Sequence, residues 1–242
     1  MHLNKIFKKS YFTIILFLII CCANNNDFEI IDEEVFEDTN ADVLKVLSLG
    51  DSYTIGQSVC ENCKFPSQLV DSLKKRNNLL EIELNVIATT GWTTTNLINA
   101  INNQDLDDNY NFATLLIGVN NQYQNIPFSV YEKEFPDLIQ IATTAVGGNK
   151  EKLVVLSIPD YAFTPFGNGN TTISEEIKKY NDYAKTYCEN KNITFLNITD
   201  ITQEGLTNTS YVANDGLHPS EEAYSLFIER LLPIAIQKLN LQ

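Results

Sequence analysis

The chain has 242 residues and a formal net charge of −14, with 31 acidic side chains against 17 basic ones. Lys and Arg occur singly or in short groups (Lys74-Lys75-Arg76, Lys178-Lys179) and form no basic stripe, which sets aside nucleic acid and other polyanions as partners. Beyond the N-terminal segment about 200 residues remain, enough for one domain with a well-buried core, and no internal repeat or second linker is visible.

The chain begins MHLNKIFKKSYFTIILFLIICC, with Lys5, Lys8 and Lys9 ahead of an apolar run over 11–20. This is the layout of a secretory signal, and the run is short for a bilayer span, which needs roughly 20 apolar residues. Its end, Ile19-Ile20-Cys21-Cys22, resembles the lipobox of bacterial lipoproteins, with Cys22 as the acylated residue. Cys21 is the poorer anchor, because Ile20 is large for the position before cleavage. The other reading is an uncleaved N-terminal anchor helix. Both place the domain outside the cytoplasm, in a bacterial cell envelope, held to a membrane on its periplasmic or outer-surface side. Residues 1–21 are thus expected to be a lipoprotein signal peptide. The stretch that follows, 22–42, is Asn-rich and then acidic with few apolar residues, as in a solvated tether. The folded domain is expected over 43–242.

Within that domain, short apolar runs alternate with amphipathic stretches. Val43 to Leu49 precedes a helical pattern over Pro66 to Arg76, and Leu80 to Ala88 precedes Thr95 to Asn102. Phe112 to Val119 is followed by Ser129 to Val146, Leu153 to Ile158 by Ser174 to Asn190, and Ile193 to Ile198 by Glu221 to Leu239. Continuous apolar strands separated by helices imply an α/β fold, a three-layer α/β/α sandwich around a central parallel sheet. Ligands in that architecture bind outside the C-terminal ends of the strands. Residues of any site are therefore expected to follow strands.

Of two histidines, His2 lies in the expected signal, so His218 is the one imidazole of the domain. In Asp215-Gly216-Leu217-His218 the acid can fold back through Gly216 onto one ring nitrogen, fixing the tautomer and freeing the other to take a proton. The same spacing also arises where an Asp merely precedes a helix. The first strand runs into Gly50-Asp51-Ser52, which puts a serine at a strand end with its own N–H available to an oxyanion; Asp51-Ser52 as a simple helix cap is the competing reading. Gly91 follows the second strand and Asn120 the third. Both positions can aim N–H groups at one developing negative charge, although a turn glycine and a cap explain each residue taken singly.

Together these blocks resemble the SGNH (GDSL-type) hydrolases over residues 44–238. Gly50-Asp51-Ser52 matches the GDS block, Gly91 the lone glycine, Gly118-Val119-Asn120-Asn121 the GxND block with Asn121 for Asp, and Asp215 to His218 the DxxH block. Longer strings such as GDSYTIGQSV and LLIGVNNQY look like a bacterial branch described as lysophospholipase-like. The resemblance implies a flavodoxin-like fold and a serine esterase with Ser52 as nucleophile, His218 as base and Asp215 as orienting acid. It further implies an oxyanion hole of the Ser52 N–H, the Gly91 N–H and the Asn120 amide, with no metal or cofactor. The expected substrate is a small ester, either an acyl lipid such as a lysophospholipid or an acetylated carbohydrate. Asn121 is expected to alter local hydrogen bonding without loss of activity. Trp92, Tyr123, Tyr161, Phe163 and Phe166 fall in strand-end loops, as an acyl or sugar platform or as ordinary packing.

No Gly-x-Ser-x-Gly elbow occurs, which argues against an α/β-hydrolase. Cys60-Glu61-Asn62-Cys63 is a CxxC; a local disulfide or two unlinked loop cysteines is favoured over a thiol redox site, and zinc would need further ligands. A surface lipoprotein that binds glycan or lipid on this fold without turnover is the remaining alternative, with a lost triad member as its expected mark.

Overall fold

The structure, a computed structural model, describes residues 43–241. The expected signal peptide, the Cys22 anchor and the tether over 22–42 lie outside the described residues. Five strands form one parallel sheet: β1 (Leu44–Gly50), β2 (Ile82–Ala88), β3 (Phe112–Leu116), β4 (Leu153–Leu156) and β5 (Thr194–Leu196), in the order β2-β1-β3-β4-β5. Helices separate them: α1 (Ser52–Ile55) and α2 (Phe65–Arg76) after β1, α3 (Thr94–Asn102) after β2, and α4 (Val119–Tyr123) and α5 (Phe128–Ala145) after β3. Then come α6 (Thr171–Lys191) after β4, and α7 (Thr199–Thr202) and α8 (Glu221–Leu239) after β5. Helices α2 and α8 pack together, α3 and α6 each pack on α5, and the two groups cover the sheet as the outer layers of the sandwich.

The central strands are mainly apolar, with β3 and β4 buried along their whole length and β1 from Val46 onward, as expected for strands covered on both faces. Edge strand β2 is only half-buried over its first residues. Ser48 and Thr114, the polar residues inside the buried strands, satisfy each other through Thr114 Oγ1 donating to Ser48 Oγ at 3.0 Å. Cys188 is fully buried on α6, and burial pushes its thiol up to about 12, so it stays protonated and inert.

Because the chain steps from β1 to β2 on one side and then to β3 on the other, a crevice opens between the C-terminal ends of β1 and β3. The turn out of β1 is tight. A Cβ at Gly50 would lie 2.1 Å from Thr54 Oγ1 and 2.4 Å from the Leu116 carbonyl, so only glycine lets α1 fold directly over the strand end. The third strand is shorter than the apolar run 112–119 suggests. Gly118, at φ +128°, breaks the extended chain and turns Val119 into the first residue of α4.

Candidate active site

Three of the five site positions expected from sequence follow directly from this geometry. Ser52 opens α1 immediately after β1, with Asp51 as the N-cap: Asp51 Oδ1 accepts from the Tyr53 N–H at 3.0 Å. Gly91, at φ +83°, lies just beyond β2 in a conformation that favours glycine. Asn120 is in the first turn of α4 beyond β3, and its amide donates to the Trp92 carbonyl at 3.1 Å and to Asp51 Oδ2 at 3.3 Å. Asp51 is completely buried, and burial raises its carboxyl to about 7 against the hydrogen bonds it accepts from the Tyr53 N–H and the Asn120 amide.

The other two positions, Asp215 and His218, come from the loop before α8. Gly216, at φ +73°, reverses the chain so that Asp215 Oδ1 accepts from the Leu217 and His218 N–H groups at 2.9 and 3.0 Å. Its other oxygen, Oδ2, meets His218 Nδ1 at 2.6 Å. Burial opposes ionisation of Asp215, but the Ser58 hydroxyl, the His218 ring and the two backbone N–H groups outweigh it and hold the carboxyl well below its usual range. An ionised Asp215 only accepts, so the proton between the pair sits on Nδ1 and Nε2 is the basic nitrogen. The loop is closed by Ala213 N–H donating to the His218 carbonyl at 2.8 Å. Tyr53 packs on the imidazole with ring centroids 5.1 Å apart, and the Tyr224 hydroxyl of α8 donates to the Tyr53 carbonyl at 2.9 Å.

Ser52, Gly91, Asn120 and His218 line one cleft of about 190 Å³, walled by Tyr53, Thr90, Val119, Tyr123, Tyr161, Phe166 and Leu217. Asp215 lies behind His218, away from the cleft wall. Among the described residues neither the Ser52 nor the Gly91 N–H has a protein acceptor, which leaves both for an incoming oxygen. A larger hollow of about 610 Å³ runs along α6 and α7, but it shares no residue with this cleft.

Of the five aromatics expected near the site, Tyr123, Tyr161 and Phe166 form a triangle with centroids 6.1 to 6.2 Å apart, two of them more than half exposed. Trp92 instead packs against the core and contributes its carbonyl, and Phe163 does not reach the cleft. Asn121, where the SGNH pattern has Asp, is fully buried and bonds to the start of α3. It accepts from the Thr94 N–H at 2.9 Å and donates to Thr94 Oγ1 at 2.7 Å, and that hydroxyl donates in turn to Glu134. The start of α3 is thereby fixed to α4, beside Asn120. Cys60 and Cys63 form a disulfide, as the local-disulfide reading has it. Ser58, whose hydroxyl donates to Asp215 Oδ2 at 2.6 Å, was not legible in the sequence: 157 residues separate the two.

No curated protein matches the sequence. Solved structures do match, at identities that speak for the fold. A G-D-S-L family lipolytic protein from Veillonella parvula superposes with a TM-score of 0.61 at 17% identity, over 82% of this chain and 98% of its own. A psychrotrophic esterase from Pseudoalteromonas sp. gives 0.59 at 16% identity, over 81% and 98%. An acetylxylan esterase from Geobacillus stearothermophilus gives 0.57 at 16%, over 82% and 95%. The model of the GDSL-like Lipase/Acylhydrolase family matches residues 48–226, a span that runs from β1 into α8 and takes in all four motif blocks. The chain belongs to that family and is a carboxylic ester hydrolase of the GDSL type.

Proposed function

We propose that this hydrolase works as a serine esterase through an acyl-enzyme on Ser52. The observation that carries the reading is the Asp215–His218 contact of 2.6 Å behind a cleft that Ser52, Gly91 and Asn120 also line. His218 Nε2 takes the Ser52 proton as Oγ attacks the ester carbonyl. The oxyanion is held by the Ser52 and Gly91 N–H groups and the Asn120 amide, and the proton passes to the departing alcohol. Water repeats the sequence on the acyl-enzyme, releases the acid and restores Ser52.

The size of the cleft favours a short acyl group. At about 190 Å³ it lies below the roughly 300 Å³ at which ligand sites usually begin. The exposed Tyr123 and Phe166 rings at its rim suit a flat or ring-shaped alcohol portion better than a long aliphatic one, which favours acylated carbohydrate over lipid. Hydrolysis of p-nitrophenyl esters from acetate to decanoate by wild type and Ser52→Ala tests both points. We expect serine-dependent turnover that falls steeply beyond butyrate. Undiminished activity in Ser52→Ala would remove the nucleophile, and a preference for decanoate would remove the short-acyl reading.

The envelope address is part of the same proposal, and it rests on the residues before 43. With Cys22 acylated, the enzyme is membrane-held and meets substrate outside the cytoplasm. Cys22→Ser should move the protein from the membrane fraction to the soluble one, and unchanged membrane recovery would rule out Cys22 as the anchor.

A further inference from the structure

We propose that Ser58 is a positioning residue for the Asp215–His218 pair, held in place by the short loop that the Cys60–Cys63 disulfide closes. The inference rests on the reading of Asp215 as orienting acid and His218 as base. Ser58 Oγ donates to Asp215 Oδ2 at 2.6 Å, and the same oxygen faces His218 Nδ1 at 2.6 Å. The backbone N–H groups of Leu217 and His218 occupy the other oxygen. With donors on both oxygens the carboxylate has one rotation about its χ2 bond that satisfies all of them, and in that rotation Oδ2 points at the imidazole. The Asp215 side chain is 29% exposed, so without the serine hydroxyl, water competes for Oδ2 and the carboxylate spends less time aligned with Nδ1. Ser58 does not line the cleft and acts through Asp215 alone.

A second observation sets this serine apart from an ordinary surface contact. Its backbone is left-handed, at φ +69°, where a Cβ is unfavourable and glycine is not. Serine stands there against the local backbone preference, and strain of this kind persists where the surroundings determine it. Those surroundings are visible. Gly56, at φ +75°, ends α1, and its N–H and that of Gln57 both donate to the Ser52 carbonyl, at 3.1 and 2.9 Å. The chain therefore turns back directly behind the proposed nucleophile. A Cβ at Gly56 would lie 2.4 Å from Lys64 Cβ, so the two ends of the loop touch, and the disulfide joins Cys60 to Cys63 between them. Gln57 Oε1 accepts from Thr90 Oγ1 at 2.6 Å, one residue before Gly91. Gln57 and Ser58 thus tie the turn of Ser52 to the end of β2 and to the acid. This assigns a use to the CxxC motif that the hydrolytic chemistry leaves unexplained.

The test separates the hydroxyl from the backbone strain. Wild type, Ser52→Ala, Ser58→Gly and Ser58→Ala are compared as full chains by steady-state hydrolysis of p-nitrophenyl acetate and by thermal melting. Ser58→Gly and Ser58→Ala should lose the same share of kcat, roughly three- to tenfold, with KM unchanged, as for one hydrogen bond to a partly exposed charge. Ser58→Gly should nevertheless melt above Ser58→Ala, because glycine relieves the left-handed strain. Wild-type kcat in Ser58→Gly, a loss carried by KM, or a kcat loss that follows Tm from variant to variant would each overturn the positioning role. Full activity in Ser52→Ala would instead overturn the site on which the role depends.

Discussion

Asn120 shows how little freedom the site residues have. Its amide carries two N–H groups, and Asp51 Oδ2 and the Trp92 carbonyl lie 3.3 and 3.1 Å from its nitrogen. An oxyanion must compete with one of these acceptors. Asp51 is the weaker competitor near neutrality, because burial raises its carboxyl to about 7 and its protonated form accepts poorly. The same two contacts hold the amide at the cleft before substrate arrives, so the donor has only to exchange its Asp51 contact for the oxyanion. Asn120→Ala should therefore lower kcat by roughly 100- to 1000-fold while KM for a short ester stays near wild type. Steady-state kinetics checks this, and a variant keeping more than about a tenth of wild-type kcat would remove Asn120 from the proposed oxyanion hole. Asn120, Ser52 and Gly91 were legible in the sequence because each sits where an apolar run stops, and the DxxH spacing led to Asp215 and His218. Ser58 and the buried state of Asp51 were not. Both depend on segments that meet only in the folded chain, and no local pattern encodes such a contact.

At the scale of elements, periodicity carried as far as periodicity reaches. The apolar pattern over Glu221 to Leu239 matches α8 end to end, since Ser220 caps its first turn by accepting from the Ala223 N–H and Asn240 ends it in a left-handed conformation. Helices α5 and α6 agree to within three residues at their ends, and they meet through aromatics at helical spacing: Phe128, Tyr131 and Phe135 against Tyr180, Tyr183 and Tyr187. Helices α1, α4 and α7 have four or five residues each, little more than one turn, so no apolar stripe announces them. Two of these carry the site, Ser52 on α1 and Asn120 on α4. Their position is set from outside. Tyr131 of α5 fills the space where a Gly118 Cβ would lie, 2.6 Å from its ring, so the aromatic layer between α5 and α6 also supports the turn into α4. The disulfide works in the same local way after α1. A link between residues three apart removes less entropy from the unfolded chain than one closing a long loop, on the order of 2 kcal/mol.

For the whole molecule, two carboxyls next to the proposed nucleophile and base pull stability in opposite directions with pH. Asp215 is held below the ordinary value of 3.8, so its contribution is present above that pH and is lost as acid protonates it in the fold. Asp51 is raised to about 7 by burial. Between 3.8 and 7 the unfolded chain ionises this group while the folded one keeps it protonated, so stability falls as pH rises through that window and levels off beyond it. The formal charge of −14 and a pI near 4.5 act in the same direction as Asp51, because self-repulsion grows as the remaining carboxylates ionise. The fold should accordingly be most stable on the acid side of neutrality, with Tm higher at about pH 5 than at about pH 8. The two causes are separable. Salt near 0.5 M shortens the screening length to roughly 4 Å and should shrink the part due to net charge, while leaving the part due to the fully buried Asp51. Asp51→Asn should remove the second part, since Asn Oδ1 can still accept from the Tyr53 N–H but does not titrate. A wild-type Tm that climbs steadily to pH 8 would mean that Asp51 is ionised in the fold, with the Asn120 and Tyr53 donors outweighing its burial. Asp51 would then be a fixed negative charge beside the proposed oxyanion hole, holding the Asn120 amide more firmly than a neutral carboxyl does.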